Sequence, residues 1–541
     1  MPAPRDALLL ALLAGLLLFA GLGATALTDR DEGANAAAAR EMLERHAWIT
    51  PTLAYAPRYA KPAFVYWLMA AAYAGLGAGE TAARLPSAVA AVALIGVQYA
   101  FARWAFGAAV ARRAALVLLL SVEFVALARM ALTDATLALW TTAAAYAFLR
   151  GSVGPAPRAG WYAAAWLAAG LAVLAKGPVG LLVPAVGVLA YLAVAGRMRE
   201  AWRETRPLRG LLLCLLVAGP WYAAMFWLHG TDYVLRARGE TLGRVFRTVT
   251  GPGGTALFYV PVLLVGFFPW SAFLPDALRT ALRGARRRAG CGPAGAVTVF
   301  AATWLVAGLV LFSVAQSRLP HYVLPLFPAA ALLVAATWPA APAATARALL
   351  ASTGLALAAG LAATRLAPAT AVDLVAAAYP AAPGATVPAS ILGVSAAVAL
   401  VAGAALLRDG RRLFPVLATL TAAALAVGVH AVLPAFSAQF VRPATELAVR
   451  AGTLATRCDA ILSVGPYRPS FVFYARRPVG FFGANEAGWL VALAALPGRF
   501  FVLAPAGVAR TLPPGLGIEP IETRGGYVLL ASGPAASRCP A

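Results

Sequence analysis

WYAAAWLAAGLAVLAKGPVGLLVPAVGVLAYLAVAG, residues 161–196, is the stretch that decides the fold. Two apolar blocks, 161–175 and 178–196, flank the turn Lys176-Gly-Pro-Val-Gly180. A helix rises about 1.5 Å per residue, so a block of roughly 20 residues crosses a hydrocarbon core ~30 Å thick. Inside that core every backbone N–H and C=O must bond internally, so such blocks must be helices. Glycine and proline between them reverse the chain and present Lys176 at the outer rim. The reading is a helical hairpin through a membrane.

The pattern recurs along the chain. Of its 541 residues 62% are hydrophobic and only 12% charged, where a soluble protein carries roughly a quarter charged. Thirteen spans are predicted: 7–27, 82–102, 114–131, 134–149, 161–175, 178–196, 208–228, 255–275, 295–314, 322–337, 345–364, 387–407 and 413–434. The first is long and lacks a convincing cleavage site, so it reads as a retained helix rather than a signal peptide.

A net charge of +23 raises nucleic acid as a partner, but the arginines argue against it. With the N-terminus in the cytoplasm, 20 basic residues fall in inner segments, 14 in outer loops and ten in the C-terminal segment. This is the positive-inside pattern of a membrane protein. The chain is therefore expected in the bacterial inner membrane, among membrane lipids, with its C-terminal domain in the periplasm. The outer residues cluster: six lie between Arg30 and Arg84, four between Arg236 and Arg247. Anionic ligands outside the membrane would explain that. Of 44 basic residues only Lys61 and Lys176 are lysine, in a chain whose richness in Ala, Gly and Pro suggests a coding bias towards arginine. A compact, flexible ammonium is something arginine does not reproduce.

The first outer loop, 28–81, holds an amphipathic segment from Ala34 to Arg45 and an aromatic-rich stretch from Phe64 to Leu76, expected to lie in the interface. From about 435 the pattern becomes soluble: helical Ala444 to Leu454, then strand-like Ala460–Val464, Pro478–Phe482, Phe500–Leu503 and Tyr527–Leu530. The predicted fold class is an all-α polytopic membrane domain (1–434) followed by a small α/β soluble domain (435–541). Cys458 and Cys539 both fall in the second, where a periplasmic location would let them form a disulfide.

Several polar clusters could carry chemistry. Thr28-Asp29-Arg30-Asp31-Glu32-Gly33 puts three carboxylates at the membrane surface, able to bind a metal, act as a base or cap the following helix. Lys61 beside Tyr66-Trp67 could grip a phosphate or simply anchor the chain in lipid. Asp134 sits at an outer mouth, either paired with Arg129 or marking a site, and Glu123 lies deeper, functional or paired internally. The run Gln316–Pro325 presents Arg318 and Tyr322. Except for the deeper Glu123, these groups fall on the outer side in a topology fixed by arginine counts alone. No glycine-rich nucleotide loop lies inside, and the four Cys and four His have no zinc spacing.

Taken together, Asp31-Glu32, Ala39-Arg-Glu-Met42, Trp48-Ile-Thr-Pro51, Lys61-Pro62, Tyr66-Trp67 and Ala83-Arg-Leu-Pro86 resemble the bacterial lipid-linked-sugar glycosyltransferases of the C-type (GT-C) membrane fold. The nearest members are the aminoarabinose transferases that modify lipid A; protein O-mannosyltransferases are more distant. Arg129…Asp134, Lys176-Gly-Pro-Val-Gly180, Gly219-Pro-Trp-Tyr222, Phe268-Pro-Trp-Ser271 and Ser317-Arg-Leu-Pro320…Tyr322 extend the resemblance to about residue 335.

The resemblance implies an undecaprenyl-phosphate-linked sugar donor and a lipid acceptor in or beside the outer leaflet, with 4-amino-4-deoxy-L-arabinose to lipid A as its specific form. It makes Asp31 and Asp134 catalytic candidates, and has Lys61, Arg244 and Tyr322 hold the donor phosphate. Glu32, Lys176, Arg318 and Arg84 fall to the acceptor side of the cavity. It names no required cofactor and leaves room for a divalent metal. Two positions depart from the family: Ala34-Asn35 replaces Arg-Tyr, and Ala60 replaces the Glu before the loop lysine. Both lie near the acceptor and metal sites the family implies. A lipid or sugar transporter and a protein O-mannosyltransferase-like enzyme are the competing functions; a transporter would place its decisive charges near mid-membrane.

Overall fold

A computed structural model describes every residue except 1–3, 154–157, 242, 244–254, 256, 377–378, 382–383, 484–498, 513–516 and 534–541. Its first half runs through α1 (Pro4–Ala14, prolonged by a π turn), α2 (Asp31–Glu44), a ribbon of β1 (Thr52–Leu53) and β2 (Ala56–Pro57), α3 (Phe64–Leu76), α4 (Glu80–Phe106), α5 (Ala108–Leu119), α6 (Val122–Ala128), α7 (Asp134–Val153), α8 (Arg158–Lys176), α9 (Val179–Ala195), α10 (Met198–Thr205) and α11 (Pro207–Thr241). The principal helices that follow are α12 (Tyr259–Gly266), α13 (Leu274–Leu282), α14 (Gly292–Val314), α15 (Phe327–Ala336), α16 (Ala344–Leu366), α17 (Pro368–Ala376), α18 (Ile391–Gly403), α19 (Gly410–Val427) and α20 (Arg442–Leu454).

Helices α8 and α9 form the hairpin read from the sequence, and two glycines explain the turn. Gly177 sits at φ +81°, where a side chain is strained. Gly180 lies so close to α8 that a Cβ would come within 2.2 Å of the Ala172 carbonyl carbon. The centre of each of the thirteen predicted blocks falls on helix, yet the blocks are not thirteen uniform spans. Among the described residues six helices are long and apolar enough to cross a membrane, seven if one bent pair is counted. The predicted span 114–131 divides into α5 and α6. The span predicted at 255–275 breaks after α12 and bends by 115° into Trp270–Leu282; Pro269, at the break, has no N–H to continue a helix. Inside the bundle Gln98 Nε2 donates to the Pro328 carbonyl at 3.1 Å and Tyr146 OH donates to Gln98 Oε1 at 2.5 Å, so these two buried side chains are satisfied between helices.

The last apolar block and the first helix of the α/β unit form one helical run, Gly410–Leu454, interrupted by two π turns. The boundary drawn at 434/435 falls inside it. Beyond lie β3 (Ala460–Val464), α21 (Ser470–Ala475), β4 (Val479–Phe482), β5 (Phe500–Pro505), β6 (Ile518–Arg524) and β7 (Tyr527–Ser532). The sheet order is β4-β3-β5-β7-β6, with β3 parallel to both β4 and β5 and the other pairs antiparallel. One face buries Ile461, Phe501, Leu503 and Leu529 in the same core as Ala36–Ala39 of α2 and Tyr66 and Met69 of α3. The outer-loop helices thus sit between the membrane bundle and the sheet. Cys458 is disulfide-bonded, Cys214 and Cys291 are free, and Cys539 lies outside the described residues.

Candidate active site

Helix α2 begins the site. Its first turn carries two acids that do different work. Glu32 turns back to the loop before the helix, accepting from Thr28 N–H and Oγ1, both at 2.8 Å, and does not cap the amides of α2 itself. It also accepts from Ala131 N at 2.9 Å and from Arg84 Nε at 2.8 Å. Arg84 donates further to the carbonyls of Leu22, Thr25 and Ala26. This fully satisfied, buried pair welds the end of the first span, α2, α4 and the α6–α7 turn together. Glu32 and Arg84, expected on the acceptor side, are paired with each other in this joint and do not line the cavity formed around Asp31 and Lys61.

Asp31, one residue earlier, points the other way. Lys61 Nζ donates to Asp31 Oδ1 at 3.0 Å. The Lys61 ammonium holds the Asp31 carboxyl well below the usual carboxylate range, overcoming burial. Burial pulls the Lys61 pKa down, opposed chiefly by Asp31. A second lysine–aspartate pair stands nearby: Lys176, at the turn of the α8–α9 hairpin, donates to Asp134 Oδ1 at 2.6 Å. Asp134 is buried at the start of α7. Lys176 Nζ lies 5.0 Å from the centre of the Tyr322 ring, within cation–π range.

Asp31, Lys61, Lys176, His321 and Tyr322 line one cavity of about 250 Å³ whose remaining wall includes Leu137, Val179, Leu182, Leu311 and Phe312. Its lining combines charged and polar side chains, Glu240 and Ser317 among them, with apolar ones. Five of the nine sequence candidates therefore converge, counting Asp134 through its bond to Lys176. Arg318 instead turns back to the Ser313 carbonyl at 2.9 Å, at the end of α14, and does not line this cavity. Arg244 lies outside the described residues. The Arg129–Asp134 pair considered from sequence does not form: Arg129 donates to the carbonyls of Leu17, Ala20 and Gly21, leaving Asp134 for Lys176.

Three contributors were missed. His321 lines the cavity and stacks edge-on to Tyr322; its position beside Tyr322 was the available signal. Asn35 accepts from Arg58 Nη1 at 3.1 Å and donates to the Ala131 carbonyl at 3.0 Å, so the residue that departs from the family pattern ties α2 to the α6–α7 turn. Arg58 also bonds Tyr66 OH. As for a metal, no three His, Cys, Asp or Glu side chains converge among the described residues, and both cavity aspartates are engaged by ammonium groups. The donor set does not fit a metal.

Residues 60–223 match the family described as dolichyl-phosphate-mannose-protein mannosyltransferase. An undecaprenyl phosphate-alpha-4-amino-4-deoxy-L-arabinose arabinosyl transferase of Edwardsiella ictaluri is 31% identical over 310 residues, covering 56% of this chain and 54% of that protein. One from an Enterobacter species is 28% identical, covering 62% and 60%. The matches thus span little more than half the length of these relatives. In structure the chain is similar to ArnT from Cupriavidus metallidurans bound to undecaprenyl phosphate, with a TM-score of 0.78, 24% identity and 98% and 100% of the two chains covered. The chain has the C-type membrane fold of that protein and resembles the lipid-linked-sugar glycosyltransferases. It is a multi-pass membrane protein.

Proposed function

We propose that this protein is a glycosyltransferase that moves a sugar from a polyprenyl-phosphate carrier to an acceptor at the periplasmic face of the bacterial inner membrane, with its C-terminal domain periplasmic. The observation that carries the reading is the cavity itself, lined by two half-buried lysines, Tyr322 and two acids, Asp31 and Glu240, together with apolar helix residues. A polyprenyl phosphate likewise combines a charged group with an apolar chain. The arginine partition and the packing of the α/β domain against the first outer loop support the sidedness.

When the glycosidic bond breaks, the departing phosphate gains charge, and cations fixed where that charge develops lower the barrier. Lys61 and Arg244 are assigned this role, with Tyr322 donating a hydrogen bond. Without donor, Lys61 is occupied by Asp31. An arriving phosphate competes for the ammonium and releases the Asp31 carboxylate towards the acceptor. A hydroxyl acceptor must lose a proton, and Asp31 then serves as general base. A phosphate monoester is already anionic, and Asp31 then orients it. Asp134, locked to Lys176, sets the acceptor side.

The relatives' names supply the donor, 4-amino-4-deoxy-L-arabinose on undecaprenyl phosphate, and lipid A is the acceptor that the sequence resemblance implies. The matched family description names a protein as acceptor, which is the second reading. The donor half of the proposal is tested by undecaprenyl phosphate binding to purified protein in lipid nanodiscs. Lys61→Ala and Tyr322→Phe are each expected to weaken it about tenfold, roughly 1.4 kcal/mol. Unchanged affinity in both variants would remove the phosphate site from this cavity.

A further inference from the structure

The α/β domain reaches further into the membrane domain than a cover needs to. Its helix α21 grips both ends of the first outer loop. Tyr474 OH accepts from Leu27 N–H at 2.8 Å where the loop begins and donates to Glu80 at 2.9 Å where it ends. Phe473 O accepts from Arg40 of α2 at 3.1 Å. Gly33 of α2 lies so close that a Cβ would meet Ser470 backbone at 2.6 Å.

The tightest contact is with Asp29. Its buried carboxylate pairs with Arg468 and accepts from Ser470 Oγ and, at 3.3 Å, Ser470 N–H. Arg468 is itself held between the rings of Tyr379 and Tyr527, at 5.0 and 5.1 Å. Asp29 is two residues from Asp31, and the residue between them is distorted. Arg30 has φ +65° and ψ −100°, a conformation that non-glycine side chains avoid. Such strain persists only where neighbours over-determine the backbone. Here they do so on both sides, Arg468 and Ser470 holding Asp29, and Arg84 and Ala131 holding Glu32.

We infer that the C-terminal domain is part of the transfer site: Arg468 and Ser470 are positioning residues that, by anchoring Asp29, set where Asp31 meets Lys61. The inference rests on the role proposed for Asp31. The domain's sequence offers Tyr467 beside the same contact, within electrostatic reach of Arg58 and Asp31.

The test uses full-length protein in nanodiscs and three variants, Arg468→Met, Arg468→Lys and Gly33→Ala, the last prising the domain from α2 without touching a charge. Because the chain has only two lysines, amine labelling read by mass spectrometry resolves Lys61 from Lys176. In Arg468→Met and Gly33→Ala, Lys61 labelling should rise at least threefold while Lys176 labelling stays put. Turnover should fall at least tenfold with undecaprenyl phosphate affinity retained, and Arg468→Lys should recover part of both. A lower melting temperature with turnover and Lys61 labelling unchanged below it would reduce Arg468 to a structural residue and overturn the inference. If wild-type protein transfers no sugar, the proposed function fails, whereas the labelling result still decides whether Arg468 positions Asp31.

Discussion

Lys61 is the residue on which most turns. Lys61→Arg keeps the charge but replaces a compact ammonium by a planar fork that cannot meet both Asp31 and a phosphate in the same space. It should cut turnover more than tenfold, a barrier increase of at least about 1.4 kcal/mol; wild-type turnover would show that the rarity of lysine was compositional accident. The pH dependence has a definite sign. The fold lowers the Lys61 pKa, so its charge opposes folding below the ordinary lysine value and is lost before pH reaches ~10.4. Donor-phosphate affinity should therefore decline on the alkaline side below that value, and in Lys61→Arg, which stays charged, that decline should vanish. Glu32 predicts a different outcome. Glu32→Gln leaves Arg84 buried without its counter-charge, so it should destabilise the protein by about 3–5 kcal/mol, measured as a lower melting temperature in detergent. These two acids are adjacent in sequence and both were legible as site candidates. What separated them, the direction each side chain leaves the first turn of α2, depends on partners 30 and 52 residues away.

At the scale of elements, apolar period and punctuation carried the reading far. Phe64–Leu76 and Ala460–Val464 are helix and strand with the bounds read from sequence. Strand β6 escaped because Ile518-Glu-Pro-Ile-Glu-Thr-Arg524 is an edge strand. It carries proline, charge and a register shift between Pro520 and Glu522 instead of an apolar face. The break after Gly266 escaped because hydropathy counts apolar residues and says nothing of their direction. The α8–α9 turn gives the sharpest element-level test. Gly180→Val forces a branched side chain against the Ala172 carbonyl and should open the hairpin, moving Lys176 from Asp134. Turnover would then fall at least tenfold while membrane insertion and undecaprenyl phosphate binding persist; normal turnover would mean the turn yields without moving Lys176.

The whole molecule is a membrane bundle and an α/β unit joined by one helical run and by a core shared with the first outer loop. Segregation of arginine predicts the sidedness, and reporter fusions after Arg288 and after Pro434 should report opposite sides of the membrane. What sequence could not supply was the joining of the units, since contacts such as Arg468 with Asp29 link positions more than 400 residues apart. The central claim is glycosyl transfer from a polyprenyl phosphate. It is met most directly by supplying purified protein with undecaprenyl-phosphate-linked 4-amino-4-deoxy-L-arabinose and lipid A, with an unstructured Ser/Thr-rich peptide in parallel, and quantifying glycosylated acceptor and freed undecaprenyl phosphate. Equimolar formation of the two, reduced at least a hundredfold in Asp31→Asn, is the predicted result. Movement of intact donor across a bilayer, with no sugar transferred to any acceptor, would contradict the account and make the protein a transporter.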